Sequence, residues 1–69
     1  MEKKELNEKI IYLINKYIAD KTRREDLINL FNEDIDSVKY ILAELDKFKI
    51  YQYDDEDLEI IKDIVYYYV

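Results

Sequence analysis

The sequence contains no glycine, no proline and no cysteine in 69 residues. Each absence removes a structural option. Without glycine the chain lacks the residue that most readily takes left-handed backbone. Tight two-residue hairpins are disfavoured, and turns fall to Asn and Asp. Helices lose least. Without cysteine, no disulfide staples the fold and no thiolate zinc site can form. A domain this short buries only about 60% of the surface its unfolded chain exposes, so packing must be efficient. The material is present: 49% of residues are hydrophobic, with eight tyrosines and two phenylalanines. Aromatic side chains bury a large area each.

The same absences bear on chemistry. A P-loop, a dinucleotide fingerprint and a nucleophile elbow each need glycine. Histidine, the commonest general base and metal ligand, is also missing. Apart from tyrosine, the only side-chain hydroxyls are Thr22 and Ser37, and neither has a base nearby in sequence. Paired carboxylates are easy to find among 17 acids, so no pair stands out. The expectation is a protein without enzymatic activity, cofactor or metal. The start, Met1 to Glu5, is charged and leads into no signal-peptide apolar region. The longest apolar runs, residues 10–14 and 64–69, are far short of the ~20 residues a membrane span needs. A cytoplasmic protein is expected, in the host-cell cytoplasm if the gene is viral.

Periodicity divides the chain into four segments of one domain, residues 1–69. In residues 4–19, Leu6, Ile10, Leu13, Ile14, Tyr17 and Ile18 recur at steps that place them on one helical stripe. Asp20 and Lys21 end that segment. Thr22-Arg23-Arg24-Glu25 fits a capping box. Leu27, Ile28, Leu30 and Phe31 follow as a short apolar helix, with Asn32 as a left-handed stop. A third helix opens near Asp34 and carries Ile35, Val38, Ile41, Leu42, Leu45 and Phe48 on one face. The last segment admits two readings. Residues 50–53 alternate like a short strand. Leu58, Ile61, Ile64, Val65 and Tyr68 then share a helical face, preceded by four acids that suit a helix N-terminus. The rival is a hairpin of residues 50–53 and 58–62. We prefer the helix, because Ile60 and Ile61 break the alternation. The fold class is therefore mainly α: a compact three- to four-helix domain with a helix-turn-helix core and a short β segment at 50–53.

The short capped helix of residues 25–31, the turn, and the longer helix ending in residues 41–50 together resemble a winged helix-turn-helix over residues 23–55. The resemblance implies binding of double-stranded DNA, with residues 34–49 as the reading helix. Asn32 and Lys49 stand where that family often has glycine, and the wing would contain Asp54, Asp55, Glu56 and Asp57. On this reading Lys21, Arg23, Arg24, Ser37, Lys39, Tyr40 and Lys47 would face the duplex.

Charge points elsewhere. The net charge is −6. Residues 1–24 hold seven bases and four acids, residues 25–53 three and seven, and residues 54–69 one and six. Non-specific affinity for nucleic acid is mostly phosphate neutralisation, which an acidic C-terminal half opposes. Acids there can instead engage a basic groove on a partner protein, such as one that normally holds nucleic acid. Tyrosine outside the core is enriched at interfaces. The candidate protein-binding residues are Asp36, Tyr40, Glu44, Tyr51, Tyr53, Asp54, Asp55, Glu56 and Asp57. Tyr12, Tyr17 and Tyr68 are expected in the core. Residues 64–69 are the candidate for self-association into a homodimer. The favoured reading is a small acidic module acting by protein contact, as an inhibitor, adaptor or accessory subunit. The alternative is a DNA-binding regulator.

Overall fold

The computed structural model describes residues 2–48 and 53–68. They form four α-helices and one turn of 3-10 helix: α1 (Lys3–Tyr17), α2 (Lys21–Glu33), the 3-10 turn (Ile35–Ser37), α3 (Val38–Phe48) and α4 (Asp55–Tyr68). No strand occurs among the described residues. The mainly α expectation therefore holds, and the hairpin rival fails, because residues 58–62 lie inside α4. Of the proposed strand at 50–53, Ile50, Tyr51 and Gln52 lie outside the described residues, and Tyr53 is not in a strand. Asp55, Glu56 and Asp57 are the first turn of α4, so they belong to no hairpin wing.

α1 is the central element and packs against α2, α3 and α4. Its stripe reads as the spacing predicts: Leu6, Ile10, Leu13 and Ile14 are all buried. Ile18, Leu27, Phe31, Val38, Ile41, Leu45 and Ile64 complete the core. Each fully buried Leu or Ile contributes about 1.5–3 kcal/mol by leaving water. Among the described residues, α4 supplies just one fully buried apolar side chain, Ile64, with Ile60 and Ile61 half-buried beside it. The expected inward face of α4 is thus rotated. Leu58 and Val65 are exposed, and Asp57 points inward in their place.

The turns differ from expectation at three points. The cap of α2 is Asp20, whose Oδ1 accepts the Thr22 amide at 3.1 Å. Thr22 lies inside the helix and does not head a capping box. An aspartate at this point satisfies a free amide and places negative charge at the positive end of the helix. α1 accordingly ends early, at Tyr17, with Ile18 extended and its amide donating to Ile14. Asn32 is no left-handed stop. α2 runs on to Glu33, Asp34 is extended at φ −147°, and no described residue has positive φ. An extended residue redirects the chain without the left-handed conformation that glycine would favour. Asp34 then opens the next element as expected: its Oδ1 accepts the Asp36 amide at 3.0 Å and its carbonyl the Ser37 amide at 3.0 Å. Among the described residues no helix is long and apolar enough to cross a membrane.

Candidate interaction surface

Two polar clusters tie the helices together, and both recruit residues that the sequence places at a binding surface. The larger joins α1 to the start of α4. Asp57 is 1% exposed. Tyr12 donates to its Oδ1 at 2.9 Å, Tyr17 donates to its Oδ2, and Lys16 Nζ lies 2.8 Å from Oδ2. Lys16 also reaches Asp54 Oδ2 at 2.7 Å and the Tyr12 hydroxyl at 3.2 Å. Its ammonium sits 5.6 and 5.5 Å from the Tyr12 and Tyr17 ring centroids, within cation–π range. The Tyr17 hydroxyl accepts the Asp54 amide at 3.1 Å. The Tyr17 ring meets Tyr53 edge-on at 4.7 Å, and Tyr53 donates to Asp46 at 3.0 Å.

The electrostatics follow from these contacts. Burial opposes ionisation of Asp57, but hydrogen bonds from Lys16, Tyr17 and Tyr12 outweigh it and hold the carboxyl below the ordinary range. Hydrogen bonds to Asp54, Asp57 and Tyr12 hold Lys16 protonated. Burial, then the bond to Asp57, raises Tyr17; burial, then the bond to Asp46, raises Tyr53. The carboxylate of Asp57 is thus spent on its own chain. It clamps α4 to α1 and is not a surface acid, contrary to its expected place among the protein-binding residues.

The smaller cluster joins α2 to α3. Arg23 lies 2.7 Å from Glu44 Oε2 and donates to the Tyr40 hydroxyl at 3.1 Å. The side chain of Glu44 is 12% exposed. The hydrogen bond from Arg23 holds it below the usual carboxylate range, and Lys47 contributes in the same direction. Glu44 is therefore pinned inside the molecule. Arg23, expected on a phosphate, is turned toward Glu44 instead. Ser37, expected near a duplex, is buried, and its hydroxyl has no hydrogen-bond partner among the described residues.

The other expected site residues divide as follows. Asp36, Asp55, Glu56 and Tyr40 are exposed, and so is Asp54 despite its pairing with Lys16. Tyr53 is half-buried and Tyr51 lies outside the described residues. Of the basic set, Lys21, Lys39 and Lys47 are exposed and Arg24 is half-buried. Tyr12, expected in the core, is 43% exposed and presents only its hydroxyl to Asp57. Tyr17, also expected in the core, is half-buried and packs against its edge. Among the described residues no group of three or more Asp or Glu is placed to hold a metal ion. A hollow of about 740 Å³ lies between the start of α1 and the end of α2, lined by Lys3, Lys4, Asn7 and Phe31 among others. None of the expected site residues borders it.

What sequence reasoning missed is the exposure of Leu58 and Val65, which it placed on the inward face of α4; Tyr66 and Tyr67 lie in residues 64–69, the segment it named for self-association. Leu58 is 39% exposed, Val65 44%, Tyr66 81% and Tyr67 57%. Asp55, Glu56, Glu59 and Asp63 are exposed on the same helix, against one base, Lys62, which lies 3.4 Å from Glu59. The signal was present in the sequence: α4 has more apolar residues than one helical face of a four-helix domain can bury. No family model matches the chain, and neither a curated protein nor a solved structure is significantly similar to it.

Proposed function

We propose that this protein is a small non-enzymatic module that works by contact with another protein, as an inhibitor, adaptor or accessory subunit. The observation that carries this reading is the surplus of apolar and aromatic surface on α4 beside exposed acids, left over once the core is complete. Exposed apolar groups rimmed by charge are characteristic of interaction sites, and tyrosine adds contact area at low entropic cost. Asp55 and Glu56 on α4 belong to this surface, and Tyr40 and Asp36 are exposed elsewhere on the molecule.

Duplex recognition would ask Lys21, Arg23, Arg24, Lys39 and Lys47 to converge on phosphates. Arg23 is held by Glu44, and Lys47 lies close enough to influence the same carboxylate. Bases interleaved with acids make a poor phosphate surface, which favours protein contact.

The test is site-specific photo-crosslinking in the cells that encode the protein. A photoreactive residue is placed in turn at Tyr40, Tyr66 and Arg24. Discrete protein adducts from Tyr40 or Tyr66 are expected. Adducts with nucleic acid, concentrated at Arg24, would overturn the reading.

A further inference from the structure

We propose that α4 releases from the rest of the molecule as a unit, while α1, α2 and α3 stay folded around their own core. This is a conformational device, independent of which partner the protein meets.

The core closes without α4. Of the buried apolar core side chains among the described residues, only Ile64 lies in α4. α1, α2 and α3 pack against one another in every pairing, whereas α4 packs chiefly on α1. The ion pair of Arg23 with Glu44 ties α2 to α3, and the Asp34 turn joins the same two helices. Neither tie involves α4.

Water can replace much of what holds α4. Polar contacts meet it at its first turn: Tyr12, Lys16 and Tyr17 on Asp57, and Lys16 on Asp54 just before it. Tyr12 and Asp54 are already exposed, and Lys16 partly so. Release uncovers Tyr17 and the Asp57 carboxylate. All these groups then exchange a protein partner for water, so little net hydrogen-bond energy is lost. The apolar cost is Ile64 with the half-buried Ile60 and Ile61. Leu58, Val65, Tyr66 and Tyr67 stand in solvent before release and add nothing to it. Global unfolding, by contrast, uncovers the whole stripe of α1. An element with few buried apolar contacts opens below the global limit. Once free, the 14 residues of α4 are too few for a stable isolated helix. The released segment therefore uncoils, and its amides meet water.

The test is amide hydrogen exchange of the full chain, followed residue by residue by NMR, with urea added below the unfolding transition. The amides of residues 59–64 should share one opening. They should exchange at least about tenfold faster than those of Ile10, Leu13 and Ile14, after correction for intrinsic rates, and with a weaker urea dependence, because less surface is uncovered. Asp57→Ala should speed residues 59–64 together, although Ile64 lies about two turns from the substitution. Fraying from the end of α4 would instead give rates graded along the helix and leave Ile64 little changed. Asp20→Ala weakens α2, which the open form keeps intact. It should speed the α1 amides and leave those of α4 as they were. Phe31→Leu, a buried change in α2, makes the same comparison where removal of the cap is too mild to read. Equal wild-type protection of α4 and α1, graded rates along α4, or equal acceleration of both helices by the α2 variants would overturn the proposal.

Discussion

Removing the Asp57 carboxylate should detach α4 from α1. Asp57→Ala deletes the acceptor for two tyrosine hydroxyls and one ammonium at once. The three losses are unequal. Lys16 is 37% exposed at its side chain and keeps Asp54 at 2.7 Å, so its ammonium rehydrates at little cost. Tyr12 is exposed enough for water to replace the acceptor. The half-buried Tyr17 bears most of the cost, because a poorly hydrated donor without an acceptor loses about 1–3 kcal/mol. Adding a smaller amount for the cavity, Asp57→Ala should cost about 2–3 kcal/mol. A domain of this size holds about 3–10 kcal/mol in total, so the loss is a large fraction. At roughly 4–8 °C per kcal/mol, the melting temperature should fall by about 8–24 °C, read by circular dichroism at the helix band. Lys16→Ala should also destabilise, because it leaves the buried Asp57 carboxylate with only the two tyrosine donors. In a Tyr17→Phe background the cost of Asp57→Ala should shrink by at least about 0.5 kcal/mol, since contacting residues couple. An Asp57→Ala loss strictly additive with that of Tyr17→Phe would refute the clamp.

Three further outcomes are expected. Asp57, held below its ordinary 3.8, contributes stability that is complete above that value and is lost as pH falls through its lowered folded value. Tyr17 and Tyr53, raised above 10.0, contribute stability complete below that value and lost as pH rises; urea midpoints should therefore fall at both extremes, and Asp57→Asn should flatten the acid limb. Asp20→Ala removes the α2 cap and should cost about 0.5–2 kcal/mol, whereas Thr22→Ala should cost less; chemical denaturation of the two variants decides between Asp20 and Thr22 as the cap. Ile41→Ala at a fully buried site should cost about 2–5 kcal/mol, measurable as a lower urea midpoint with unchanged slope.

Legibility in the sequence followed the strength of periodicity. The α1 stripe stood out because Leu6, Ile10, Leu13 and Ile14 all serve one face, and each is buried. α4 was harder to read. Its apolar residues occupy more than one face: of those that spacing put inward, Ile64 is buried and Ile61 half-buried, while Leu58 and Val65 are exposed. The deciding contact is polar: Asp57 turns inward because Lys16, Tyr12 and Tyr17 wait for it on α1, 40 or more residues away for Tyr17 and Tyr12. In sequence it was one acid in a run of four. The turns were misjudged for a related reason. Asp20 competes with Thr22 for the same helix start, and a charged acceptor two residues before the amide won. Glu44 looked like a surface acid until Arg23, 21 positions earlier, was brought within 2.7 Å. Long-range pairing of charges leaves no periodic mark in a sequence.

The central claim is that the molecule meets a protein and not a duplex. Its most direct test is anisotropy of labelled mixed-sequence duplex DNA titrated with the purified protein at about 50 mM and 200 mM salt, a span over which several phosphate contacts lose about a thousandfold or more in affinity. Protein contact predicts no saturable binding at either salt. Saturable binding at 50 mM that collapses at 200 mM, and that Arg23→Ala with Arg24→Ala abolishes, would contradict the claim and make the protein a DNA-binding regulator.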